Sequence, residues 1–114
     1  MYKIEMKDGY LLQNLEGSLQ KDEIIKFTEE AIKIVRKPGN KIRILNDYRG
    51  SFLHDPDVQT IMKEWVSGNE TYVEKAAVLG ITGIKKIFYN IITIGRKHIK
   101  LFENEEEAIK WLKS

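Results

Sequence analysis

Ala76-Ala77-Val78-Leu79-Gly80-Ile81-Thr82-Gly83-Ile84-Lys85-Lys86-Ile87-Phe88 reads as a buried strand, a glycine-bearing turn and the opening of an amphipathic helix. An uninterrupted apolar run ending at a glycine suits a strand covered on both faces, as in the interior of parallel sheets. It is the best candidate for a central strand. Beyond the turn, Ile84, Ile87, Phe88, Ile91 and Ile92 recur at helical spacing, and Gly95 suits the left-handed turn that ends a helix.

The rest of the chain falls into place on either side. Tyr2 to Lys7 and Tyr10 to Glu16 favour strand, and Asp8-Gly9 between them supplies the positive φ angles of a tight hairpin. From about Lys21 to Lys37 the apolar residues Ile24, Phe27, Ala31 and Val35 lie three and four apart, with Asp22 and Glu23 in the first turn where the helix dipole favours acids. Pro38-Gly39-Asn40 ends that helix. Lys41 to Asp47 is short, rich in branched residues and bounded by breakers, which makes it a strand.

After an irregular loop, Asp55-Pro56 combines a capping acid with a proline at the first helical position, where no N–H is needed. Val58, Ile61, Met62, Trp65 and Val66 then form one stripe, stopped by Gly68-Asn69. His98 to Phe102 makes a last strand. Asn104 and Glu107 form an Asn-x-x-Glu variant of the capping box before a final helix through Ala108, Ile109, Trp111 and Leu112. Strands separated by helices of this length run parallel through right-handed crossovers. The expected architecture is α/β: a mixed five-stranded sheet, an N-terminal β-hairpin followed by αβαβαβα, flanked by four helices in a single domain over residues 1–114.

Composition narrows the function. The chain is 42% hydrophobic and 32% charged, the profile of a globular protein rather than a disordered one. Its 19 basic and 17 acidic residues leave a net charge of +2, too little to steer nucleic acid or an acidic membrane. There is no cysteine, hence no disulfide, thiol nucleophile or thiolate metal site, which fits a reducing compartment. No apolar run approaches the roughly 20 residues of a membrane span, and Met1 to Glu5 lacks the apolar core of a secretory signal. The expected location is cytoplasmic.

Taken along its length, the chain resembles the STAS-like fold, in particular the small SpoIIAA-like proteins, which are also compared with CRAL-TRIO lipid-binding domains. The residues that carry the resemblance are Lys41 to Gly50, a strand running into an Asp-containing turn; Lys75 to Lys86, a strand with Gly-Ile-Thr-Gly before a helix; and the strand and helix from Ile99 to Leu112. In anti-sigma-factor antagonists of this fold, the corresponding turn reads like Asp-Ser-Ser-Gly and a serine in it is phosphorylated. Here Asp47 and Gly50 match, while Tyr48 and Arg49 stand at the serine positions, and Ser51 lies beyond the glycine. The resemblance therefore implies a binding or regulatory module without that phosphoacceptor.

In open α/β sheets ligands collect beyond the carboxyl ends of the strands. That edge gathers Asp47, Tyr48, Arg49, Gly50 and Ser51 from one strand, Gly80, Thr82, Gly83, Lys85 and Lys86 from the next, and Asn104 from the last. A glycine-bearing helix start with nearby cations can hold an anion, yet Gly80-Ile81-Thr82-Gly83 matches neither a P-loop nor a dinucleotide fingerprint. Lys85, Lys86, Tyr89, Asn90, Thr93, Arg96 and Lys97 form a basic helix face, read most simply as solvated. His54, Asp55 and Asp57 have the composition of a metal site, but the two acids already serve as cap and first-turn acid, so no metal is assigned.

No nucleophile or acid–base pair can be named with its partner, and no cofactor is implied. The expectation is a non-enzymatic regulatory or protein-interaction module, with Asp47 to Ser51 and Thr82 to Lys86 as its recognition edge. The alternative is a carrier of a small amphiphile, lipid or anionic ligand, in a pocket bounded by Ile61, Trp65, Phe88 and Ile92. The expected partner is accordingly a protein or such a ligand. A homodimer is compatible with either.

Overall fold

A computed structural model of the chain describes residues 1–36, 41–52, 55–80 and 98–114. The hairpin expected at the start is formed by β1 (Tyr2–Met6) and β2 (Leu11–Leu15), which pair antiparallel through a turn in which Gly9 has φ +87°. Helix α1 (Lys21–Val35), strand β4 (Ile42–Asp47), helix α2 (Pro56–Gly68), strand β6 (Val73–Leu79), strand β7 (Ile99–Phe102) and helix α3 (Glu105–Leu112) follow. Two strands have no counterpart in the sequence expectation. The short strands β3 (Gly17–Ser18) and β5 (Ser51–Phe52) pair parallel with each other, and a two-residue strand is too short to show periodicity.

The main sheet has five strands in the order β1-β2-β4-β6-β7, with only the β1–β2 pair antiparallel. It is the mixed sheet expected. The third of the four expected helices, over Ile84 to Gly95, lies outside the described residues. The middle position belongs to β4, and the stretch expected as the central strand is its neighbour β6, still an interior strand.

Two strands with apolar residues on both faces organise the core. Along β6 the side chains alternate: Ala76 and Val78 enter one cluster, and Ala77 and Leu79 another. Ile44 and Leu45 split in the same way on β4. The first face is covered by Ile24, Phe27, Ala31 and Val35 of α1 and by Val58, Met62 and Trp65 of α2. The second is covered by Ala108 and Leu112 of α3. All four α1 stripe residues read from the sequence are buried.

Helix ends are held by specific donors and acceptors. Asp55 Oδ1 accepts from the Asp57 N–H at 2.9 Å, and Asn104 Oδ1 accepts from the Glu107 N–H at 2.9 Å. Both caps match the sequence expectation. The carboxyl end of α3 is held by cations from the sheet: Arg43 donates to the Leu112 carbonyl, and Lys75 Nζ donates to the Trp111 and Ser114 carbonyls at 3.1 and 3.0 Å. Cations at that end satisfy orphan carbonyls and oppose the negative pole of the helix dipole.

One buried group breaks the pattern. Gln13 of β2 is fully buried on the same strand face as Leu11 and Leu15, and neither atom of its amide meets a hydrogen-bond partner among the described residues. A buried amide without partners carries its full desolvation cost. Gln13→Leu removes that cost at similar volume and is expected to raise unfolding stability by about 1–3 kcal/mol, measured by urea titration with an unchanged m-value.

Candidate functional site

The parallel strands end in register. Asn14 pairs with Asp47, Asp47 with Leu79, and Leu79 with Phe102, so their carboxyl ends form one row across the sheet. The turn after β4 leaves from the middle of that row. Its N–H groups are anchored at once: Tyr48 donates to the Leu79 carbonyl at 2.9 Å and Ser51 donates to the Tyr48 carbonyl at 3.1 Å. The second bond closes a four-residue turn with Gly50 in third place at φ +77°, a value that a type II turn requires there.

The five turn residues expected at the edge divide by burial. Tyr48 points into the core below α1 and α2, and its hydroxyl donates to Asn46 Oδ1 at 3.1 Å. Ser51 is 1% exposed and its hydroxyl donates to the Tyr48 carbonyl at 2.7 Å. These two build the turn from inside. Arg49 and Gly50 are exposed, and Asp47 is partly so.

Arg49 is held in place. Its Nε and Nη2 donate to the two carboxylate oxygens of Asp47 at 2.9 and 2.8 Å, and its backbone N–H reaches Asp47 Oδ1 at 3.2 Å. On its other side Nη2 lies 3.6 Å from Glu105 Oε2, in the first turn of α3. The Arg49 cation is thus shared between two carboxylates. The Arg49 guanidinium holds the Asp47 carboxyl below its ordinary range, and Asp47 in turn raises that of Arg49.

Gly80 sets where the turn can sit. It has φ +86°, and a Cβ built there would lie 2.4 Å from the Arg49 nitrogen and 2.7 Å from the Arg49 Cα. Two backbone segments therefore touch where no side chain fits. Gly50 differs, because a Cβ on it would meet nothing within 4 Å.

Asn14 and Glu105 join this edge without having been expected there. Asn14 Nδ2 donates to the Asp47 carbonyl at 3.3 Å. The capping motif placed Glu105 at a helix start, but only pairing of β6 with β7 brings that start beside Arg49. Thr82, Gly83, Lys85 and Lys86, the basic helix face from Lys85 to Lys97, and His54 lie outside the described residues. Among the described residues no group of three or more His, Cys, Asp or Glu is placed to hold a metal ion, and no helix is long and apolar enough to cross a membrane.

Two measurements check this geometry. Gly80→Ala is expected to destabilise by about 2–5 kcal/mol, because left-handed strain and a backbone clash add, whereas Gly50→Ala carries only the strain of about 1–2 kcal/mol; denaturant titration separates them. The Asp47 carboxyl titrates lower in the folded than in the unfolded chain, so its contribution is present above the ordinary value of 3.8 and is lost as pH falls through the folded value. In acid titrations of stability, Arg49→Gln is expected to flatten this loss below about pH 4.

Neither a protein-family model nor a curated protein matches the sequence. Solved structures do match the fold. A protein of the DUF3478 family with a SpoIIAA-like fold, from Shewanella loihica PV-4, superposes with a TM-score of 0.77 at 16% identity, over 98% of this chain and 92% of that one. A serine-to-glutamate variant of RsbS from Moorella thermoacetica gives 0.73 at 19% identity, over 98% and 94%. A chain of the stressosome, described as a signal integration and transduction hub, gives 0.65 at 16% identity, over 97% and 96%. At these identities the likeness shows architecture, and the chain therefore has the SpoIIAA-like, STAS-like fold.

Proposed function

We propose that the chain is a non-enzymatic regulatory module of STAS-like type, which recognises a protein partner through the turn after β4. The observation that carries this is the construction of the turn. Asp47 and Glu105 hold Arg49 from two sides, Tyr48 and Ser51 root it in the core, and the backbone contact with Gly80 fixes its height. A guanidinium held in advance loses little freedom when it meets a second surface. The likeness to a chain of the stressosome, a signal integration and transduction hub by its description, supports regulation over catalysis.

The proposed edge comprises Asp47, Arg49, Gly50 and Glu105. Thr82, Gly83, Lys85 and Lys86 belong to it on the sequence alone. The burial of Ser51 and the engagement of its hydroxyl with Tyr48 support the reading that no serine of this turn serves as a phosphoacceptor. On the amphiphile alternative, Trp65 packs edge-on against Phe27 with ring centroids 6.3 Å apart, and Phe27 against Tyr2 at 5.6 Å. That row of rings fills the α1 side of Trp65, and Phe88 and Ile92, the other walls of the expected pocket, lie outside the described residues.

Affinity capture with wild-type protein and the Arg49→Glu variant, compared by quantitative mass spectrometry, tests the edge. A partner enriched by wild type and reduced roughly tenfold or more with the variant is expected, since one of several charge-assisted contacts becomes a repulsion. Equal capture by a folded variant rules the edge out. A stoichiometric amphiphile released on denaturing the purified protein would put the carrier reading first.

A further inference from the structure

The outer edge of β1 is a surface separate from the turn. In the hairpin, the Lys7 N–H donates to the Tyr10 carbonyl and the Glu16 N–H to the Met1 carbonyl, both at 2.8 Å. Antiparallel pairing alternates bonded and non-bonded pairs. Lys3, Glu5 and Lys7 therefore bond inward to β2, and Tyr2, Ile4 and Met6 turn their N–H and C=O groups outward. Strand β1 ends the sheet, and among the described residues no strand pairs with that side.

Exposed strand edges invite another strand, and charged side chains decide which one is admitted. An edge bearing a single sign would repel a copy of itself. This one alternates: Glu5 lies between Lys3 and Lys7, at 3.0 and 3.3 Å from their ammonium groups. We propose that β1 pairs antiparallel with β1 of a second copy of this chain, about a two-fold axis at Ile4.

Register follows from charge. With the axis at Ile4, Lys3 faces Glu5 of the second copy and Glu5 faces its Lys3, both in non-bonded pairs where side chains stand closest. Moving the axis one residue to Glu5 sets Glu5 on Glu5 and Lys3 on Lys7, which like charges oppose. An axis at Met6 also matches charges but sets Ile4 against Asp8, which lies in the turn. On the other face of the strand, the chosen register brings Ile4 onto Ile4 and lays Tyr2 beside Met6, which is 61% exposed in the single chain. The two sheets then continue as one across the axis, through the outward N–H and C=O groups of Tyr2, Ile4 and Met6.

A strand pair of this length makes a small interface, so the dimer should be weak and concentration-dependent. Sedimentation equilibrium up to millimolar concentration, combined with amide exchange followed by NMR, tests it on the whole chain. Wild type is expected to dimerise, with slowed exchange at Tyr2, Ile4 and Met6 as concentration rises. Lys3→Glu should weaken association by roughly tenfold, and adding Glu5→Lys, which restores opposite charges across the axis, should recover it. A chain that stays monomeric at millimolar concentration overturns the proposal. So does a dimer indifferent to Lys3→Glu, or one in which those three amides exchange at the same rate at every concentration.

Discussion

Strands β4 and β6 lie side by side with apolar side chains on both faces, and neither face can be left to water. Their burial sets the layers of the molecule. Helices α1 and α2 cover one face and α3 covers the other, because alternate residues of the same two strands point to each. The hairpin and β7 extend the sheet on either side. Even the capping of α3 is arranged from these strands, since Arg43 and Lys75, which hold its last carbonyls, belong to β4 and β6.

The same two strands deliver the candidate edge. Because they run parallel and end in register, the turn after β4 and the residue after β6 emerge side by side. The backbones then meet without an intervening side chain, and Gly80 is the residue that allows it. Contact at that distance leaves little room for the turn to drift. Arg49 inherits this rigidity and is further pinned by Asp47 and Glu105, so the edge presents a formed shape rather than a mobile cation.

The turn and the β1 edge lie on different sides of the sheet. One sits at the carboxyl ends of the parallel strands, the other along the outermost antiparallel strand. A module that used both could hold a copy of itself and a partner at once, without either surface blocking the other through shared residues.

Much of the fold was legible in local pattern. The Ile24, Phe27, Ala31 and Val35 stripe, the Asp8-Gly9 turn and the caps at Asp55 and Asn104 are short-range signals, because the forces behind them act over one turn of helix or hairpin. The apolar run before Gly80 announced a strand buried on both faces for the same reason. The candidate edge was legible only as a neighbourhood. Asp47 and Arg49 could be named, but the burial of Tyr48 and Ser51, the pairing of Arg49 with Asp47 and Glu105, and the arrival of Asn14 depend on which strands lie adjacent. Sequence by itself determined the elements and the two-sided burial, since these follow from the chemistry of near neighbours. Tertiary structure alone decided which charges meet and which hydroxyls are hidden, because residues as distant as Arg49 and Glu105 acquire a distance only when the sheet closes between them.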